Sequence, residues 1–361
     1  ERSGIIMSDA YARMKNKHGV FLAGQAGPGA TNTITGLAQA KAAFSPVVSL
    51  AGAISSEHEG KDAFQEVDQQ SLFAPVTKKS FKIADTENIH SIMQEAFKVA
   101  ITPRMGPVNI NLPRDVMGKT SSFHNPVKYQ MDKLPEAKVS SLMKAVELLT
   151  KANNPVIIVG AGIKNNSSHE TVLALAKLVN APCCTSAGHG DALPFEHPLN
   201  AGQMGPRGNA VASRLVKEAD VILVLGSRLG FNSTFYSYDN INKDALIIHC
   251  EIDENSIGRY FPAEIGIFAD AKTVAEQLLA MLKSHQAKSE AQKWVEEFQA
   301  ERTAYLKNRD QDADVTSTPI QPSGLFKELR QVLPKNAAIT RDAGTLCLQA
   351  TDALNYFEPK S

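Results

Sequence analysis

The sequence predicts an α/β protein built from doubly wound parallel-sheet domains, and two observations carry that expectation. Short, continuously apolar runs alternate with segments of helical periodicity, the pattern of strands buried on both faces and joined by helices. Glycine-bearing turns also stand directly after two of those runs, at Gly24–Gly29 and at Gly160–Gly162, where strand-to-helix connections belong.

Taken in order, Val20–Ala23, Val47–Leu50 and Val108–Leu112 read as strands of a first domain, with helices over Ala30–Phe44 and Glu87–Ala100. A stretch without periodicity, containing Asn125 and Pro126, reads as a linker over 123–137 and closes that domain at 1–122. The second domain, 138–284, has strands at Val156–Val159, Val221–Leu225 and Leu246–Ile252. Its helices fall at Ser140–Lys151, Glu170–Val179 and Val274–Lys283. A charged helix carrying Trp294 follows, from about Gln286 to Asp314, inside a segment read as a second linker over 285–321. Residues 322–361 then open a third domain with a helix at Ser323–Leu333 and a strand at Ala337–Thr340. The chain shows no solenoid-period repeat and no low-complexity segment.

A chain of 361 residues has room for two or three compact domains, and 43% hydrophobic with 21% charged residues is ordinary for a globular protein. With 38 basic and 38 acidic residues, no net field favours nucleic acid or an anionic membrane. No apolar run reaches the roughly 20 residues of a bilayer-spanning helix. Cys183, Cys184, Cys250 and Cys347 have neither disulfide-framework nor metal-ligand spacing, and read as reduced core thiols of a cytoplasmic protein.

Three segments carry the candidate chemistry. Glu1 stands twelve residues before Arg13; Gly24-Gln25-Ala-Gly27-Pro28-Gly29 leads into a helix near Asn32; and Phe64-Gln65 sits within Asp62–Asp68. Glycines in such a turn let a ligand approach the backbone, and a helix start attracts negative charge. Singly, each has a plainer reading: a connector in a doubly wound sheet, an exposed first residue, a polar surface glutamine.

Together these segments resemble the pyrimidine-binding domain of thiamine-diphosphate enzymes of the acetolactate synthase family. The resemblance implies that Glu1 is the carboxylate that hydrogen-bonds the aminopyrimidine ring, favours its imino tautomer and so makes the cofactor's own amine the base. Burial in a partly apolar pocket would raise that carboxylate's pKa. Gln65 would be the second catalytic residue, orienting a bound carbonyl or carboxylate. Gly24, Gln25, Gly27, Pro28, Gly29 and Asn32 would hold the cofactor. Phe64 and Arg114 would face substrate, although Arg114 reads equally as an ion-pair partner of Asp115. The cofactors implied are thiamine diphosphate and Mg²⁺. The Gly-Asp-Gly…Asn-Asn segment that binds metal and diphosphate is expected beyond Ser361, so no metal ligand is assigned here and the chain is expected to be a fragment. Gly188-His-Gly-Asp191 lacks the third glycine and is rejected as that site. The resemblance also implies a homodimer or tetramer with its site between subunits, and a small-molecule substrate.

The implied reaction is that of a lyase or carboligase forming a cofactor-bound carbanion from a small 2-oxo acid or aldehyde. Where acetolactate synthases carry Gly-x-Arg-Phe-Asp-Asp-Arg, this chain has Gly226-Ser-Arg228-Leu-Gly-Phe-Asn-Ser-Thr234, which speaks against FAD. That segment, with Phe64–Gln69, Cys183-Cys184 and His189–Pro194, is similar to sulfoacetaldehyde acetyltransferase, which makes acetyl phosphate and sulfite. Thr77–Phe81 is similar to acetolactate synthase. Arg207 and Arg228 suit a sulfonate or phosphate, and read equally as structural. The alternative is a non-catalytic nucleotide-binding or regulatory member of the same fold. An NAD-type oxidoreductase is set aside, because the third glycine after Gly160-Ala-Gly162 falls at Asn165.

Overall fold

A computed structural model describes residues 1–122, 133–284 and 291–358. Most of the linker expected at 123–137, and the start of the charged helix, lie outside the described residues. The chain divides into two compact units, Glu1–Lys133 and Leu134–Ser361.

The first unit runs α1 (Arg2–Lys15), β1 (Gly19–Ala23), α2 (Pro28–Thr31), α3 (Ile34–Ala42), β2 (Val47–Ala53), α4 (Gln69–Phe73), β3 (Lys79–Lys82), α5 (Ile89–Ile101), β4 (Val108–Pro113) and α6 (Arg114–Met117). Its four strands are parallel, in the order β1-β2-β4-β3. Alternate residues of β2 feed two cores, as the pleat requires. Val47 and Ala51 pack with Ile5, Leu37, Ala40 and Phe73, while Val48 packs with Phe81, Ala96 and Ile110. Helix α1 buries Ile5, Ser8, Asp9 and Ala12, one face at helical spacing, and ends on Asn16 in the left-handed conformation at φ 50°. The Asp9 carboxylate is buried beside α3, where Arg13 reaches it at 2.6 Å and the Gln39 amide at 2.9 Å.

The second unit runs α7 (Val139–Lys151), β5 (Pro155–Val159), α8 (Ala161–Asn165), α9 (His169–Leu178), β6 (Cys183–Thr185), β7 (Asn200–Gln203), α10 (Ala210–Glu218), β8 (Val221–Leu225), α11 (Phe231–Thr234), β9 (Leu246–Glu251), β10 (Ile265–Phe268), α12 (Ala271–Ser284), α13 (Gln292–Asp312), α14 (Pro322–Val332) and α15 (Thr345–Ala353). Six parallel strands lie in the order β10-β9-β8-β5-β6-β7, so the winding direction reverses between β5 and β8. β5 and β8 are buried at every position, which is why they read as unbroken apolar runs.

The expected α/β class holds, with two differences in detail. The helix expected over Ala30–Phe44 is two helices, and at the break both the Thr33 hydroxyl, at 2.7 Å, and the Thr33 N–H, at 3.1 Å, donate to the Ala30 carbonyl. The segment expected as a strand at Ala337–Thr340 has no regular structure and joins no ladder among the described residues, and a strand needs a neighbour. The charged helix expected from about Gln286 to Asp314 is present over Gln292–Asp312, where it buries Trp294, Val295 and Phe298, with the Trp294 indole N–H donating to the Pro155 carbonyl at 3.1 Å. Three apolar residues on one face suffice to dock a helix that is otherwise charged.

Candidate active site

A helix that precedes a parallel strand runs back along the sheet, so the start of α1 and the turn after β1 lie at the same edge. There the structure brings together most of the residues singled out by the sequence. Glu1 stands at the N-cap of α1 and accepts a hydrogen bond from the Asn32 side-chain amide at 3.3 Å. A side chain on Gly29 would come within 3.6 Å of the Glu1 carboxylate and 3.1 Å of Gln25 Cβ, so Gly29 lies between the two.

Gly27 and Gln65 are joined more tightly. Gly27 has φ +61°, a conformation that L residues rarely adopt, and a Cβ there would sit 2.5 Å from the Gln65 carbonyl oxygen. Gln65 is itself left-handed, at φ 65°. The loop bearing it is closed by Glu66, whose carboxylate accepts the Gly60 N–H at 2.5 Å and the Ala63 N–H at 3.0 Å. Those two bonds hold the Glu66 carboxyl below the usual carboxylate range, so it is ionised near neutrality. Asp68 caps α4 by accepting from the Ser71 N–H at 3.1 Å, and the Ser71 hydroxyl and N–H lower its pKa.

Gly24 differs from the other glycines of the turn, because a Cβ at that position would meet nothing within 4 Å. The first unit therefore leaves open space above the turn, beside a carboxylate whose hydrogen-bonding capacity is only partly used. A planar heteroaromatic ring with a donor or acceptor at its edge fits that arrangement. In this chain Glu1 is exposed, whereas the expectation was a carboxylate buried in a partly apolar pocket. Phe64 is 87% exposed, the most open large apolar side chain of the loop. Arg114 begins α6 at the end of β4 and is also exposed. Its neighbour Asp115 accepts instead from the Ser56 N–H at 2.9 Å and lies 4.0 Å from Lys119, and the Ser56 bond chiefly holds its pKa down. Among the described residues, no hydrogen bond or ion pair joins Arg114 to the Glu1–Asn32 cluster.

The sequence reading passed over Glu66 as a role-bearing residue, although a glutamate six residues after Gly60 in a turn-rich segment is a loop-closing signal. A cavity of about 240 Å³ opens next to the same loop, lined in part by Ile54, Val67, Gln70, Lys82 and Asn111. Lys82 is paired with Glu59 across it at 2.5 Å.

In the second unit, Gly160 and Gly162 sit where the winding reverses, the usual position of a nucleotide in such sheets. Here they serve backbone packing. A Cβ on either would strike the Gly226 backbone, and Gly226, at φ +62°, is equally confined by Gly162. The Gly188–Asp191 loop is held by an ion pair of Lys164 with Asp191 at 2.7 Å. Beyond Gly226, Arg228 and Phe231 are exposed, and Arg207 bonds the Asn232 side chain at 3.2 Å. His249, fully enclosed, keeps a pKa lowered by burial while its ring bonds the Ser227 carbonyl at 2.9 Å and the Gly258 N–H at 3.2 Å. All four cysteines are free; three are buried and Cys347 is half-buried. Among the described residues, no group of three or more His, Cys, Asp or Glu side chains could hold a metal ion, and no helix is long and apolar enough to cross a membrane.

Comparison with known proteins identifies the family of the chain. Residues 1–72 match the family model of the N-terminal TPP-binding domain of thiamine pyrophosphate enzymes, and residues 142–278 match that of their central domain. A probable acetolactate synthase large subunit of Methanocaldococcus jannaschii is 35% identical over 95% of this chain and 59% of its own length. Sulfoacetaldehyde acetyltransferase of Alcaligenes xylosoxydans is 31% identical over 100% of this chain and 63% of its own. The isozyme 3 large subunit of Escherichia coli acetolactate synthase is 31% identical over 95% and 60%. The chain thus spans about three fifths of the length of these curated relatives. With residues 1–72 matching the N-terminal TPP-binding domain and residues 142–278 the central domain, the chain belongs to the thiamine pyrophosphate enzymes.

Proposed function

We propose that the protein to which this chain belongs is a thiamine-diphosphate-dependent lyase or carboligase acting on a small 2-oxo acid or aldehyde. The observation that supports it most is the meeting of Glu1 with Asn32 beside a glycine turn that carries Gln65 on one side and open space at Gly24. When bound, thiamine diphosphate supplies a thiazolium carbon that acts as nucleophile and electron sink. Glu1 would share a proton with the pyrimidine ring nitrogen, its carboxylate held by the Asn32 amide. Gly24, Gln25, Gly27, Pro28 and Gly29 would hold the cofactor. The Gln65 amide orients the substrate carbonyl or carboxylate, Phe64 covers the reacting region, and Arg114 faces the substrate's anionic group.

Mg²⁺ and the diphosphate are held by residues other than those described. The active assembly is a homodimer or tetramer with the site between subunits, in the cytoplasm. The altered Gly226–Thr234 segment speaks against FAD, in keeping with glycines at 160, 162 and 226 that are used for packing.

Two assays on the full-length protein with thiamine diphosphate and Mg²⁺ test the reading. Pyruvate is followed for acetolactate, and sulfoacetaldehyde with phosphate for sulfite and acetyl phosphate. Either product identifies the reaction. In the same preparation Glu1→Gln is expected to slow exchange of the thiazolium proton while the cofactor still binds. Exchange at the wild-type rate would remove Glu1 from the chemistry.

A further inference from the structure

We propose that Glu66 is a positioning residue whose carboxylate closes the 60–66 loop and thereby sets Gln65 against the glycine turn. The inference rests on the role given to Gln65 above.

Three residues of this loop have left-handed backbone: Gly60 at φ 72°, Asp62 at φ 55° and Gln65 at φ 65°. Glycine adopts that region without penalty, but Asp62 and Gln65 do not, so the surroundings must hold them there. Packing does not do so, since Phe64 at the tip is 87% exposed. What spans the loop is the Glu66 side chain. One carboxylate oxygen takes the Gly60 N–H at 2.5 Å and the other takes the Ala63 N–H at 3.0 Å, while the Glu66 N–H donates to the Ala63 carbonyl at 2.9 Å. Both acceptor oxygens are therefore committed to the loop's own backbone.

The flanks of the loop are fixed separately, by the Lys82–Glu59 pair before Gly60 and by the Asp68 cap of α4 after Val67. Between them the Glu66 carboxylate ties Gly60 to Ala63, and, besides that of the Glu66 N–H, the Lys61 N–H on the His58 carbonyl at 3.3 Å is the other backbone bond of this stretch among the described residues. The Gln65 carbonyl in turn lies where a side chain on residue 27 would be. Carboxylate, loop and glycine turn form one chain of contacts, and its far end is the turn beside Glu1.

The test uses the full-length protein with Glu66→Ala, Glu66→Gln, Gln65→Ala and the double variant Gln65→Ala/Glu66→Ala. Backbone hydrogen exchange reads the clamp without any turnover. Glu66→Ala is expected to speed exchange at Gly60 and Ala63 at least tenfold, with Glu66→Gln intermediate because its amide keeps one acceptor. Exchange within twofold of wild type in Glu66→Ala would overturn the proposal. With thiamine diphosphate, Mg²⁺ and pyruvate or sulfoacetaldehyde as probe substrate, Glu66→Ala should lower kcat by roughly tenfold or more with KM little changed. The double variant should be no slower than Gln65→Ala alone, since both changes act through one group. Additive losses would overturn the link from Glu66 to Gln65. Wild-type turnover in Gln65→Ala would instead refute the role of Gln65, leaving the clamp to be decided by the exchange data.

Discussion

Gly24 and Gly27 lie three residues apart in one turn, and the structure predicts opposite consequences for replacing them with alanine. At Gly27 the φ of +61° strains any L residue, and the new Cβ would lie 2.5 Å from the Gln65 carbonyl oxygen. Carbon and oxygen come to rest at about 3.3 Å, so the Gln65 loop must retreat by roughly 0.8 Å. Backbone strain of this kind costs about 1–3 kcal/mol, which for a unit of this size is a fall of several degrees in Tm. Misplacing a group near the chemistry by about 1 Å costs up to ~100-fold in rate, so turnover should fall well beyond what the lost stability explains. At Gly24 nothing lies within 4 Å and φ is not left-handed. Gly24→Ala should therefore leave Tm unchanged or slightly raised, while its methyl enters the space assigned to the cofactor ring and weakens thiamine diphosphate binding. Differential scanning calorimetry and cofactor titration by fluorescence quenching separate the two cases. A Gly27→Ala protein with wild-type Tm and turnover would refute the packing argument. A Gly24→Ala protein that binds the cofactor normally would refute the placement of the ring.

Asp9→Ala removes a buried carboxylate that Arg13 and Gln39 share; with Arg13 half-exposed the loss should be about 2–3 kcal/mol, read as a lower midpoint in urea. Burial brings the Lys78 ammonium down to about 8, with its donors on the Val99 and Thr102 carbonyls at 2.7 and 2.8 Å. Between that value and the ordinary lysine range the unfolded chain binds the extra proton, so this group should add stability as pH rises through the window, and Lys78→Met should lose that rise in Tm-versus-pH curves. Trp294→Ala empties a buried site under α13 and should cost about 3–5 kcal/mol, checked by chemical denaturation followed by far-UV circular dichroism. Burial pushes the Cys183 thiol up to about 12 and raises Cys184 and Cys250 as well, so iodoacetamide at pH 8 should label Cys347 alone in the native protein, as mass spectrometry would show.

How far the sequence discloses this fold depends on where each strand lies in its sheet. The interior strands β2, β4, β5, β8 and β9 were legible because burial on both faces demands unbroken apolar runs. The strands that escaped notice are short or lie at edges. β3 is Lys-Ser-Phe-Lys with one buried ring, and β7 is Asn-Ala-Gly-Gln, whose buried polar side chains bond neighbouring loops. Strand order, which sets where the glycine turns meet, has no local signal, because it depends on which crossovers pack. Asp9 shows a signal that was available: a charge four residues after Ile5 and three before Ala12, within the buried stripe of α1, marks a buried partner on the next helix.

The candidate site was legible in a different way. Its residue types follow from chemistry, but the sequence does not distinguish a glycine kept for a ligand from one kept for the chain's own backbone. The structure separates them by what an added Cβ would meet. Gly160, Gly162 and Gly226 are filled by one another, Gly27 is filled by Gln65, and Gly24 alone in the first turn faces nothing. A glycine whose side-chain space the fold already occupies is sufficiently explained by packing, and no ligand need be invoked for it. One whose space stays open, with φ that any residue could adopt, has no such explanation within these units. The turn beside Glu1 contains such a glycine and the turn after β5 contains none, whereas Gly230 in the segment after β8 is open with an ordinary φ, so the contrast separates the turn after β1 from the turn after β5 and keeps the β8 segment as a second open surface.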